Sequence, residues 1–303
     1  MPNTQTPQSH KPSLLSDERP LAPAPAPVFT NILCAVDGTN ASIAAVRMAA
    51  GLAGPNGQLT LLTVTAASSY GPNTMAVISP GRANRILQSA KRIAEDAGVP
   101  CSTVLDPGAP PAEIILARAS EHDLLVIGAP ATSWLAGMLI GGVTAAILSR
   151  LETPMLVVRE PFVSSLNARR ILVASDGEKG SDDLVELAGR LAQSQRAQVS
   201  LVNALEAESR MNPRAIQAQA ATLKRMLADS GEPWIEPGHA GAVILNAAQS
   251  TDAALVVIAS RRLDGPRTFG SVSRRLVHDA PCSVLVVPPS EKPAREQTQK
   301  GDS

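Results

Sequence analysis

An apolar run that ends in Asp-Gly occurs twice in this chain, as "ILCAVDGTN" at residues 32–40 and as "ILVASDGEK" at 171–179, 139 residues apart. A repeat of that length confines the fold to two similar units, each the size of a small domain. The register holds beyond the Asp-Gly. Ala45, Met48, Ala49 and Leu52 fall at i, i+3, i+4 and i+7, and Leu184, Leu187, Ala188 and Leu191 repeat that spacing 139 residues later. Each set makes one apolar helical stripe. Further on, "QLTLLTV" matches "QVSLVNA" at an offset of 140, and "GGVTAAILSRLETPMLVV" matches "GSVSRRLVHDAPCSVLVV" at 129. The shrinking offset means that the second copy has lost residues between its second strand and its last helix, as duplication followed by divergence would leave it.

Within each copy, apolar runs alternate with amphipathic stretches. The pattern predicts strands near 31–36, 58–64, 100–105, 123–128 and 155–159, with helices near 41–53, 82–97, 111–120 and 142–151. The second copy predicts strands near 170–175, 198–204, 233–236, 254–259 and 283–288, again with four helices between them. Strand and helix in alternation form a parallel sheet covered on both faces. Aromatic residues are only 2% of the chain, so its cores are built from Ala, Val, Leu and Ile, which suits such sheets. The expected organisation is a Pro-rich tail over 1–27, a first α/β domain over 28–161, a linker over 162–168, a second domain over 169–289 and a polar tail over 290–303.

Composition removes several function classes. Basic and acidic side chains balance at 27 each with no long basic run, which argues against a nucleic-acid-binding surface. Cys34, Cys101 and Cys282 are far apart and odd in number, without a Cys-x-x-Cys pair, and read as small apolar residues rather than as a disulfide or zinc framework. His10, His122, His239 and His278 have neither metal-ligand spacing nor a nucleophile nearby. No run reaches the roughly 18 apolar residues of a membrane span, and the first residues lack the order of a secretory signal, so a soluble cytoplasmic protein is expected.

Ligands of open parallel sheets sit beyond the carboxyl ends of the strands, where the strand order reverses. Asp37 and Asp176 end the first strand of each copy and so stand at that place. A carboxylate there can accept hydrogen bonds from a ribose or a base; equally, it can stabilise the turn with Gly38 or Gly177 and cap the next helix. In "LLVIGAPATSWLAGMLIGGVTAAIL" the fourth strand runs into Gly128, a loop, and Gly141-Gly142 at a helix start. Such glycines let backbone approach an anion at a helix N-terminus, or simply make turns and close helix packing.

Two units of about 130 residues, each opening with text like "ILCAVDGT" and closing with a glycine loop, a helix and text like "HDAPCSVLVVP", with "GAPPAEIILARASEHDLLVIGA" between, resemble the universal stress protein family over residues 29–289. The resemblance implies an α/β fold of two tandem Rossmann-like domains of the adenine nucleotide α-hydrolase type, each a five-stranded parallel sheet flanked by four helices. It also implies dimerisation through the last strand, met here within one chain as a pseudo-dimer of the two repeats, with room for further homo-oligomerisation. Many members bind ATP through Gly, two residues, Gly, nine residues, Gly and Ser or Thr. The first repeat keeps that length, with Gly128, Ala131, Gly141 and Gly142 at the four positions. A left-handed backbone at Ala131 costs roughly 1–2 kcal/mol and a missing hydroxyl about 1.5–3 kcal/mol, together enough to move affinity from micromolar toward millimolar. In the second repeat Ala259 and Arg262 replace the first two glycines, and seven residues separate Arg262 from Gly270-Ser271. Arg261, Arg262 and Arg267 there read either as a side-chain phosphate clamp or as a solvated basic face. Val64 and Ala204, ending the second strands, occupy the places where family members meet adenine through main chain.

The resemblance therefore implies a non-enzymatic protein of stress response or signalling, binding ATP or AMP weakly through the first repeat. A partner-binding scaffold with decayed pockets is the alternative. A pyrophosphatase-like enzyme would need a Gly-Ser phosphate loop directly after the first strand, where "DGTN" and "DGEK" stand instead. A phosphoacceptor receiver would need an acid beside Asp37 and a lysine after the fifth strand, which ends "VVRE".

Overall fold

The computed structural model describes residues 26–65, 78–108, 110–129, 142–159, 166, 169–206, 213–227, 230–260 and 270–288. In the first half β1 (Asn31–Ala35), β2 (Gln58–Val64), β3 (Cys101–Asp106), β4 (Leu124–Gly128) and β5 (Met155–Val158) alternate with α1 (Asn40–Ala53), α2 (Pro80–Asp96), α3 (Pro111–Ala119) and α4 (Gly142–Leu148). In the second half the strands are β6 (Arg170–Ala174), β7 (Gln198–Leu205), β8 (Trp234–Pro237), β9 (Ala253–Ala259) and β10 (Ser283–Val287). Between them lie α5 (Asp182–Gln195), α6 (Pro213–Met226), α7 (Ala240–Ser250) and α8 (Ser271–Asp279), with a 3-10 turn over Lys179–Ser181.

All ten strands join one sheet in the order β3-β2-β1-β4-β5-β10-β9-β6-β7-β8. Every pairing is parallel except the central one, where β5 and β10 meet antiparallel with Val157 opposite Val284 and Met155 opposite Val286. The two repeats thus pair through their last strands inside one chain, as the resemblance implied. Two layers of side chains enclose the sheet. One holds Ala45, Leu87, Leu191 and Ile216 under α1, α2, α5 and α6; the other holds Ile115, Ile147, Val243 and Leu276 under α3, α4, α7 and α8. Leu166, between the two halves in the chain, is fully buried in the first layer. Burial of each such leucine, isoleucine or valine contributes about 1.5–3 kcal/mol.

The predicted elements are all present, with shifted ends. α2 starts at Pro80, earlier than the predicted 82, because the Ser79 hydroxyl accepts from Arg82 N at 3.4 Å and proline suits a first helical position. α4 stops at Leu148 instead of 151, where Arg150 N turns in tightly to the Ile147 carbonyl at 3.0 Å. The 3-10 turn ahead of α5 has no counterpart before α1, and Ser181 at its end donates to Asp176.

Candidate functional site

The strand order reverses at β1, which has β2 on one side and β4 on the other. Asp37 follows directly, exposed, after the buried Val36. Its Oδ1 accepts from Thr39 N at 2.9 Å and Thr39 Oγ1 at 2.7 Å. Thr39 in turn caps α1, accepting from Ser42 N at 3.2 Å, while Gly38 N donates to Ser42 Oγ at 3.1 Å. Gly38 has φ +83°, a backbone that glycine adopts without strain. One carboxylate oxygen of Asp37 serves the turn, and Oδ2 has no partner among the described residues.

Gly128 ends β4 beside this turn. A Cβ placed there would lie 2.2 Å from the Ala41 carbonyl carbon and 2.5 Å from Ser42 N, so the first turn of α1 packs directly on the glycine. Val64, half-buried at the end of β2, pairs with Asp106 of β3. Gly142 opens α4, exposed and facing open space. Ala131 and Gly141 lie outside the described residues.

In the second half Ala259 stands where Gly128 does, and the helix start differs accordingly. α1 begins three residues after Asp37, whereas α5 begins six residues after Asp176, with the 3-10 turn between. Gly128 leaves no room for a Cβ in the first half, and Ala259 carries one at the equivalent place in the second, where the first turn is 3-10 instead of α-helical. Asp176 is half-buried, and its Oδ1 accepts from Glu178 N at 2.9 Å and from Ser181 Oγ at 2.6 Å. Behind it runs a polar chain. Gly177 N donates to Ser175 Oγ at 3.0 Å, Ser175 Oγ to Gln219 Oε1 at 2.6 Å, and Gln219 Nε2 to Asp182 Oδ1 at 2.7 Å. Asn203 Nδ2 donates to the Ser175 carbonyl at 2.8 Å, and its Oδ1 is buried without a partner. Ala204 is half-buried on β7; Gly270 and Ser271 start α8, and Arg262, like Arg261 and Arg267, lies outside the described residues.

Two groups were not foreseen from sequence. The Ser175–Gln219–Asn203 chain replaces Val36, Ile86 and Thr63 of the first half, a signal that aligning the repeats position by position would have exposed. Asp106, at the end of β3, accepts from Gly108 N at 3.0 Å and pairs with Arg118 Nη2 of α3 at 3.2 Å. That pair braces the wall next to Val64. Elsewhere, burial raises all three thiols, Cys101 to about 11 and Cys282 to about 12, with Cys34 higher still. Burial pulls the Arg159 guanidinium below its usual range, opposed by Asp279. Among the described residues no group of His, Cys, Asp and Glu is disposed to hold a metal ion, and no helix is long and apolar enough to cross a membrane.

The same architecture occurs in solved structures. A universal stress protein from Archaeoglobus fulgidus DSM 4304 superposes with a TM-score of 0.69 at 17% identity, covering 85% of this chain and 97% of its own. A putative universal stress protein from Pseudomonas aeruginosa UCBPP-PA14 gives 0.64 at 18% identity, covering 86% and 94%. A functionally unknown protein from Pseudomonas aeruginosa PAO1 gives 0.64 at 17%, covering 86% and 93%. At these identities the likeness speaks for the fold alone. In sequence, the model of the universal stress protein family matches twice, over residues 29–159 and 167–288. The chain belongs to the universal stress protein family, as a member carrying two copies of the family's domain in tandem.

Proposed function

We propose that this chain is a non-enzymatic, cytoplasmic protein of stress response or signalling whose first repeat binds an adenine nucleotide, ATP or AMP, weakly. The observation that carries the reading is the difference between the two strand ends. In the first half Gly128 lets α1 pack against β4, and Asp37 stands exposed with Oδ2 unengaged among the described residues. In that pocket Asp37 meets the sugar or base, the Val64 main chain borders the adenine, and the Gly128–Gly142 segment supplies backbone donors to phosphate. Ala131 and Gly142, where the family pattern has Gly and a hydroxyl, keep the affinity low. The second repeat, where Asp176, Ala204, Arg262, Gly270 and Ser271 hold the corresponding places, is the weaker site or none.

The scaffold reading has its own support in that half, where Asp176 is bound to Ser181 and Ala259 replaces the glycine. Denaturing the purified protein, identifying any released nucleotide, and titrating ATP and AMP into the nucleotide-free protein by calorimetry separates the two. One nucleotide site per chain supports the first reading. No binding up to millimolar concentration leaves a scaffold whose ligands are protein partners.

A further inference from the structure

Because β5 and β10 run antiparallel, the carboxyl end of the first half's strands lies beside the start of β10 and the last turn of α8. Arg159 occupies that corner. It follows β5 directly and is 5% exposed. Its main-chain N–H donates to Ser283 Oγ at 3.3 Å. Its Nη1 donates to the carbonyl of Val277 and, at 2.7 Å, to that of His278. These carbonyls belong to the last turn of α8, where backbone acceptors lack intrahelical donors and carry the negative end of the helix dipole. Around them Asp279 is in contact with His278 and lies 3.6 Å from Arg275 Nε. A buried guanidinium therefore fastens the end of a second-repeat helix to a first-repeat strand.

Both ends of this connection reach a candidate pocket. Ala129, next after Gly128, donates its N–H to the Val158 carbonyl at 2.9 Å, and Val158 precedes Arg159. At the other end, α8 begins with Ser271, the retained Gly-Ser of the second repeat's loop. Nine helical residues rise about 14 Å, enough to pass from one end of the sheet to the other. The second repeat offers no side chain for an equivalent fastening. The position equivalent to Arg159 is Pro288, with neither N–H nor cation, although the equivalent strand-end bond, Ser260 N to the Val287 carbonyl, is kept at 2.7 Å.

Resting on the nucleotide reading above, we propose that Arg159 couples the first repeat's pocket to the second repeat: a nucleotide held at the end of β4 orders Ala129 and Val158, and Arg159 carries that ordering into α8. The coupling is a difference in the stability of α8 between the empty and the occupied first pocket. Hydrogen exchange of the full chain, read by mass spectrometry with and without saturating ATP, tests it in the wild type, R159Q and R159K. ATP is expected to slow exchange over residues 271–279 about fivefold or more in the wild type. R159Q should still bind ATP but lose that slowing, and R159K, which keeps the cation without the forked donors, should keep part of it. ATP bound with α8 unchanged in the wild type, or slowed fully in either variant, overturns the coupling and leaves the nucleotide reading standing. Where AMP binds in place of ATP, exchange is read with AMP, and a chain that binds neither nucleotide overturns both.

Discussion

Asp37 and Asp176 descend from one position, yet only Asp37 keeps an exposed carboxylate with an oxygen to spare. Asp37→Ala should weaken ATP binding about tenfold or more in calorimetry, by removing a charged acceptor. It should also lower stability by about 0.5–1.5 kcal/mol, because the bonds to Thr39 go with it. Unchanged affinity would leave Asp37 only its turn. Gly128→Ala places a methyl against the backbone of Ala41 and Ser42; a loss of about 1–3 kcal/mol in urea unfolding is expected, together with loss of nucleotide binding. Full affinity in that variant would contradict the pocket's placement. The thiols predict an alkaline limit. Cys282 holds its proton in the fold up to about pH 12, whereas an ordinary thiol titrates near 9.0. Above that lower value the unfolded chain binds fewer protons, so stability falls with rising pH, by about 1.4 kcal/mol per pH unit for a buried thiol such as Cys282. Urea midpoints between about pH 8 and pH 11 should fall less steeply in C282A than in the wild type. Parallel curves would sink the attribution.

At the scale of elements, alternation and repeat offsets made every strand and helix legible, since each apolar run and stripe recurs at a fixed distance. The start of α5 was not legible. The apolar stripes of α1 and α5 repeat alike, so periodicity carries no sign of the 3-10 turn over Lys179–Ser181. The candidate site divided in the same way: Asp37, Val64 and Gly128 come together at the strand ends, whereas Ser175, Asn203 and Gln219 were passed over because each looks ordinary alone. Gln219 interrupts the stripe of Ile216, Ala220 and Leu223 on α6. Gln219→Ile removes the acceptor of the Ser175 hydroxyl and the donor to Asp182, and should cost about 1–3 kcal/mol. Adding Ser175→Val, which restores the residues the first repeat uses, should recover most of that loss. A double-mutant cycle in urea with purely additive effects would show that the two side chains are not coupled.

For the whole molecule, the continuous sheet and the two apolar layers that cross its midline leave no plane along which the halves separate cheaply. Urea unfolding followed by fluorescence and by circular dichroism should give one coincident transition; two resolved transitions would mean that the halves unfold as separate units. The central antiparallel pair also changes what dilution can do. An edge that a one-domain protein must cover with a second copy is covered here by a tethered neighbour, at an effective concentration set by the connecting segment and not by the cell. Pairing of the repeats thus survives low expression, and its contribution to stability is independent of protein concentration, so the melting temperature should stay constant over roughly a hundredfold dilution. Duplication has turned an association equilibrium into a property of the single chain, leaving β3 and β8 as the outermost strands among the described residues, at which another molecule could add.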